Sequence, residues 1–161
     1  MHLVGSVNPS SVIEFGCNEG RAAATILHNV PQIESYVGID VLPGYRTLRE
    51  CQRGEVPARP GIFAAHDPRF RLILRARGAF DLTPADLPAC DAVFIDADHS
   101  RAGVLNDYRL ARALTRPGGI IIFHDDNGLP VVEVSETIED LVATGEAIVH
   151  VAGTWLAFQR L

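Results

Sequence analysis

Apolar residues recur along the chain in short runs that stop at Gly, Asp or Asn, and most runs lead into a stretch with helical spacing. Such alternation is the pattern of strands and helices taking turns in a parallel sheet. The first run, Ser11 to Phe15, passes through Gly16 and Gly20 into Arg21 to Val30, where Ala24, Ile26, Leu27 and Val30 share one helical face. A second strand is predicted over Ser35 to Val41, followed by a helix near Tyr45 to Gln52 that ends at Gly54 and then by a loop rich in Pro and Gly. From Arg69 to Arg77 the parity is informative: Arg69, Arg71, Arg75 and Arg77 fall on one side, Phe70, Leu72, Leu74 and Ala76 on the other. One wet face and one buried face suit an edge strand, because central parallel strands are covered on both sides. Asp91 to Asp96 is a more uniformly apolar strand, and Gly119 to Phe123, the most apolar of all, is placed centrally. Between them Ser100 to Thr115 reads as a helix with Val104, Tyr108 and Ala111 along one stripe, and Val131 to Ala143 as another with Val134, Ile138 and Leu141 at helical spacing. Two short strands, Ala147 to Val151 and Trp155 to Arg160, close the chain around Gly153.

Composition narrows the class. At 161 residues with 47% hydrophobic side chains the chain suits a single domain with one core. No apolar stretch approaches the roughly 20 residues needed to span a bilayer, and the first residues lack the blocks of a signal peptide, so a cytoplasmic protein is expected. Cys17, Cys51 and Cys90 are too widely spaced for a disulfide framework or a paired zinc motif, and reduced thiols are expected. The net charge of −6 argues against nucleic acid and acidic membranes as partners. All basic side chains are arginine, and eight of the fourteen lie between Arg46 and Arg77. That segment is read as a solvated helix face and a charge-guarded edge strand, with a site for an anionic partner as the sharper alternative.

The loop Glu14-Phe15-Gly16-Cys17-Asn18-Glu19-Gly20 joins the first strand to the first long helix, where an open parallel sheet places its ligand crevice. Glycines let the backbone approach a ligand closely, and helix-start amides receive a carboxylate or phosphate. The spacing is not that of a dinucleotide fingerprint, since only Gly16 and Gly20 are present with Asn18 between them, and a P-loop is excluded because the chain has no lysine. Asp40 ends the second strand, where a carboxylate can accept hydrogen bonds from both hydroxyls of a ribose. It points to a nucleoside ligand without identifying which.

The loop resembles that of class I methyltransferases, in which an acidic residue stands two positions before the first glycine. Glu14, Gly16 and Gly20 match, and Asn18 stands where glycine is frequent. The resemblance implies S-adenosylmethionine as cofactor, its methionine cradled by the backbone of Gly16, Cys17, Asn18 and Gly20, with Glu14 organising the ammonium end. It further implies Asp40 and Val41 at the ribose and Ala79 and Phe80 near adenine, with Asp81 beside them. DAVFIDADHS and RPGGIIIFHDDN together are similar to small bacterial methyltransferase-domain proteins related to catechol-type O-methyltransferases. From this follows the expected fold: a doubly wound α/β domain with a seven-stranded, mostly parallel sheet and an antiparallel C-terminal hairpin.

Asp96, Asp98, His99, His124, Asp125, Asp126 and Asn127 follow two apolar strands that the resemblance makes neighbours. Metal-dependent relatives bind magnesium through an acid after strand four and an Asp-Asn pair after strand five. Asp96, Asp126 and Asn127 are then candidate ligands for Mg2+ or another divalent cation, with Asp125 an alternative to Asp126. A metal would acidify and align a substrate hydroxyl. Without one, His99 or His124 would serve as general base beside Asp96. Several of these acids would otherwise merely cap helices. Cys17 and Trp155 are read as packing residues, Trp155 in the core or at an interface, and His28, His66 and His150 have no recognisable partners in the sequence.

The leading function is methyl transfer to an oxygen of a small-molecule acceptor. A noncatalytic nucleoside-binding module acting with a partner and an NAD-dependent oxidoreductase remain as alternatives. About ten residues precede the first strand, where many family members carry helices over the acceptor, so the site is expected to be open or completed by a second subunit in a homodimer.

Overall fold

The computed structural model describes residues 2–47, 52, 56–129 and 131–161. The seven strands are β1 (Ser11–Phe15), β2 (Ser35–Val41), β3 (Phe70–Arg75), β4 (Cys90–Ile95), β5 (Thr115–Phe123), β6 (Ile148–His150) and β7 (Ala157–Arg160). They form one sheet in the order β3-β2-β1-β4-β5-β7-β6. The first five are parallel, and β7 runs antiparallel to both β5 and β6. The helices are α1 (His2–Gly5), α2 (Arg21–Asn29), α3 (Arg101–Leu114) and α4 (Val134–Ala143). The expected α/β fold is present, and the strand order reverses between β1 and β4, which is where such sheets place their ligands.

Each face of the sheet has its own apolar layer. Ile13, Phe15, Val37, Val93, Ile121 and Phe123 pack with Val104, Tyr108 and Ala111 of α3 and Val134 and Ile138 of α4. Val12, Tyr36, Ala92, Ile120 and Ile122 pack on the opposite side with Val4 of α1 and Ala23, Ile26 and Leu27 of α2. Alternate residues of every central strand thus serve opposite layers, as the two-residue period of a strand requires.

Several elements differ from the sequence expectation for identifiable reasons. The expected helix over Tyr45 to Gln52 falls largely outside the described residues. Helix α1 was not foreseen, being a single turn tied down by one buried side chain, Val4. In α2 Ala23 is fully buried where Ala24 was expected to lead. Strand β3 is an edge strand as expected, but its two faces are not cleanly wet and dry: Ile73, on the arginine parity, packs against the core on the α3 side. Residues 116–118, which fall between the expected helix and the expected strand at Gly119, lie inside β5, where the pairing with β4 jumps from Cys90↔Thr115 to Ala92↔Ile120. A bulge of this kind absorbs the extra residues without ending the strand. Helix α4 starts at Val134, three residues later than expected. Trp155 is not in the core, being 57% exposed. Among the described residues no helix is long and apolar enough to cross a membrane.

Candidate active site

The parallel register aligns four strand ends. Phe15 pairs with Ile39 of β2 and Ile95 of β4, and Ile95 pairs with Phe123 of β5, giving one row of buried apolar side chains across the sheet. The next residue on each strand is Gly16, Asp40, Asp96 and His124. Chemistry thus begins one step beyond the apolar row at every strand. These four residues line a cavity of about 390 Å³ at the switch point, with Asn18, Val41, Gly78, Ala79, Phe80, His99 and Asp125 also in its wall. That volume suits one drug-sized ligand.

On the β1 and β2 side the backbone makes the site. Gly16 has φ of +81°, and a Cβ there would lie 2.1 Å from the carbonyl oxygen of Asp96, so only glycine fits between the two loops. The amides of Gly16 and Cys17 both donate to the Ile39 carbonyl, at 2.8 and 3.2 Å. Asn18 N–H donates to Asp40 Oδ2 at 2.5 Å and Val41 N–H to Oδ1 at 2.7 Å. Burial pushes the Asp40 carboxyl above its usual range even though these amides oppose the shift. Gly20, also at φ of +81°, starts α2 and packs against Gly61. Glu14 lies under the loop rather than in the cavity wall: it is 1% exposed and accepts a hydrogen bond from Tyr36 Oη at 2.9 Å. Burial raises its carboxyl to about 8, with Asp96 and Asp40 adding repulsion. Cys17 is likewise a packing residue, buried against Gly38, and burial drives its thiol far above the usual range. Of the loop residues proposed to touch a cofactor, Gly16 and Asn18 line the cavity while Glu14, Cys17 and Gly20 shape it from behind.

On the β4 and β5 side the side chains make the site. His124 Nδ1 lies 3.0 Å from Asp125 Oδ2 and 3.3 Å from Asp96 Oδ1. Hydrogen bonding to Asp125 and then to Asp96 raises the His124 imidazole to about 10, outweighing the opposing effect of burial, so it is a cation at neutral pH. Asp125, with φ of +58°, is held below the usual carboxylate range by the same contact. His99 Nε2 stands 3.2 Å from Asp125 Oδ2 and 3.6 Å from Asp96 Oδ1. Helix α3 is pinned beside this cluster. Ser100 caps it by accepting from Gly103 N–H at 3.0 Å, and Gly103 is required because a Cβ there would meet Asp98 backbone at 2.5 Å.

The expected magnesium ligands do not all converge. Asp126 Oδ1 accepts from Ser135 Oγ at 2.8 Å, and its Oδ2 lies 2.6 Å from His150 Nδ1, so this carboxylate ties the β5 loop to α4 and β6. Asn127 Oδ1 accepts from Leu129 N–H at 2.9 Å. Neither residue lines the cavity. The set that does converge is Asp96, His124 and Asp125, whose donor atoms lie within 4.8 Å of one another. Its imidazole is foreign to the oxygen set a magnesium ion takes and belongs with softer divalent cations. The residues present therefore do not fit magnesium. His150, which the sequence left without a partner, has one in Asp126.

Two wall residues escaped the motif reading. Gln52 is buried and donates from Nε2 to the Ala97 carbonyl at 2.8 Å. Asp107 on α3 is 2% exposed and also lines the cavity. Its signal was present in the sequence as an acid three residues after Val104, on the apolar stripe of the helix. Asp81, in contrast, binds Arg77 Nε at 2.8 Å and stays out of the wall. Of the arginine-rich segment, Arg77 reaches the cavity, whereas Arg69 is structural: it pairs with Asp67 and donates to the carbonyls of Leu27, Pro31 and Ile33.

Comparison with known proteins gives the family and the fold. Residues 13–125 match the family model described as a methyltransferase domain. The chain belongs to the methyltransferase-domain family. Its fold is shared with cofactor-bound Rv0187 from MTB, at 21% identity and a TM-score of 0.68 over 97% of this chain and 74% of that one. It is similar in the same way to SAH-bound PaMTH1 of Podospora anserina, at 14% identity and a TM-score of 0.68 over 98% of this chain and 75% of that one. The O-methyltransferase TomG of Streptomyces achromogenes, solved with SAM, gives a TM-score of 0.61 at 17% identity over 97% of this chain and 75% of that one. No curated protein matches the chain. As a class I S-adenosylmethionine-dependent methyltransferase, this domain has the seven-stranded sheet of that fold.

Proposed function

We propose that this methyltransferase acts on an oxygen of a small molecule, with the row Gly16, Asp40, Asp96 and His124 as the observation that carries the reading. S-adenosylmethionine, when bound, supplies a methyl group on a sulfonium that carries its own leaving group. The residues of the chain hold and orient. Asp40, fixed by two amides, accepts from the ribose hydroxyls; Val41, Ala79 and Phe80 border the base; the Gly16 turn admits the methionine end. The methyl acceptor is then placed against Asp96, His99, His124 and Asp125. His124, already protonated, does not take the acceptor's proton but stabilises the oxygen as it becomes anionic. His99 is the side chain placed to receive that proton, with the carboxylates of Asp125 and Asp96 beside it to stabilise the resulting charge. No step requires a metal. Names of the similar structures, among them an O-methyltransferase solved with SAM, support oxygen as the acceptor atom.

Isothermal titration with S-adenosylmethionine, S-adenosylhomocysteine and NAD tests the reading. Saturable binding of the first two without magnesium, weakened about 10- to 100-fold by Asp40→Ala, is expected for loss of a charge-assisted hydrogen bond. NAD is expected not to bind. Folded protein that binds neither sulfur compound would sink the proposal, and binding without consumption of the methyl group in an acceptor screen would favour a noncatalytic module.

A further inference from the structure

Asp107 is the least explained polar residue in the cavity wall. It projects from α3, is 2% exposed, and accepts one hydrogen bond, from Asn106 Nδ2 to Oδ1 at 3.0 Å. Among the described residues its second oxygen has no hydrogen-bond partner and no cation pairs with it. Burying a carboxyl with so little compensation is unfavourable, and such a group facing a cavity marks a place where a ligand completes the bonding. Its position narrows the ligand part. Asp40 stands at the end of β2, and the turn Gly78–Asp81 after β3 forms the neighbouring wall. That turn packs on α3. A nucleoside whose ribose meets Asp40 and whose base lies along Gly78, Ala79 and Phe80 therefore has α3, and Asp107, at the far edge of its base.

We infer that Asp107 reads the base of the bound nucleoside, accepting from the exocyclic amine of adenine, so that this protein selects an adenine cofactor through a buried helix carboxyl. This rests on the S-adenosylmethionine reading above. Burial, with Asp98 adding repulsion, pushes the Asp107 carboxyl up to about 7. Above that value the ionised carboxylate has acceptors only, so it bonds the adenine amine and repels a carbonyl in its place. Asp81, the acid closest to the base in sequence terms, is committed to Arg77 and leaves this role open.

The test is titration, at a pH of about 8.5 where the Asp107 carboxyl is ionised, of the full chain and of Asp107→Asn with S-adenosylhomocysteine and with S-inosylhomocysteine, in which a carbonyl replaces the adenine amine. Wild type is expected to prefer the adenine compound by at least about 30-fold, because a site built to bond an amine is left unpaired by the analogue. The asparagine variant keeps the shape and the bond from Asn106, but its amide can also donate to the inosine carbonyl. Its preference is expected to fall to about 3-fold or to invert. Wild type that binds both compounds alike overturns the inference whatever the variant does, and so does a folded variant whose preference is unchanged. Wild type that binds neither compound overturns the cofactor reading itself, and this inference with it.

Discussion

The two halves of the cavity are built by different means. On the β1 and β2 side, peptide groups do the shaping: Gly16 slots against the Asp96 carbonyl, and Asp40 is clasped by the amides of Asn18 and Val41. On the β4 and β5 side, four titratable side chains choose one another, and Asp126, next in sequence, chooses Ser135 and His150 instead. A backbone site leaves a spacing in the sequence, because a tight turn at positive φ admits few residues. A side-chain site leaves only a composition, since HDDN does not say which carboxylate turns inward.

The largest effect should come from the backbone half. Gly16→Ala places a Cβ against Asp96 backbone and an L side chain at positive φ, and the two together are worth about 2–5 kcal/mol. A fall in Tm on the order of 10 °C is expected, together with loss of cofactor binding. Gly44→Ala is the matched control, since its φ of +84° carries the backbone strain while nothing lies within 4 Å of the added Cβ. Its loss should be about 1–2 kcal/mol. Equal melting losses for the two variants would show that the close approach of the β1 and β4 loops is not what demands glycine at 16.

The next effect separates the halves by pH. Glu14 titrates at about 8 in the fold against an ordinary 4.5, and His124 at about 10 against 6.5. In both cases the folded chain holds its proton at a pH where the unfolded chain has lost it, so stability falls as pH rises. The Glu14 contribution disappears between about 4.5 and 8, and that of His124 between about 6.5 and 10. Denaturant midpoints measured from pH 5 to 10 should decline across both windows. Glu14→Gln should flatten the lower part of the decline, leaving the smaller share from Asp107 below about 7, and His124→Gln the upper part. Buried Cys17 and Cys90 add the same decline at high pH to variant and wild type, so a His124→Gln profile that falls as steeply as the wild type between pH 8 and 10 would show that the imidazole is not held as a cation by Asp125 and Asp96.

The same division decides what was legible in the sequence. Strand β2 was read to its exact bounds, and the cavity floor could be inferred from the apolar run ahead of Gly16, Asp40, Asp96 and His124, because strand period and turn chemistry are local properties. The short helix α1, the bulged start of β5 and the packing of Ile73 on the otherwise wet face of β3 were not, because each depends on a partner distant in sequence: Val4 on the core, Arg-Pro-Gly-Gly on β4 and the C-terminal residue, Ile73 on the core beneath α3. Asp107 lay in plain view on an apolar helix face and was passed over because no loop motif contained it. Asp126 was overrated for the opposite reason, its motif being convincing and its direction invisible.

The smallest effect is also the one that tests the metal expectation most directly. Asp126 bonds Ser135 and His150, the latter half exposed, so Asp126→Asn should weaken the β5 loop by about 1 kcal/mol. Cofactor affinity should stay within about 2-fold, because the carboxylate faces α4 and β6 rather than the cavity, and distant sites perturb each other little. Asp125→Asn, one residue earlier, removes an anionic partner of both His124 and His99 and should reduce turnover about 100-fold or more while leaving cofactor binding nearly intact. The comparison is made by measuring methyl transfer and cofactor affinity for the two variants side by side, with and without chelator. If Asp126→Asn proves the more damaging, or if the chelator removes wild-type activity, the loop rearranges on binding to bring Asp126 inward, and the second half of the cavity is assembled around a cation rather than around His124.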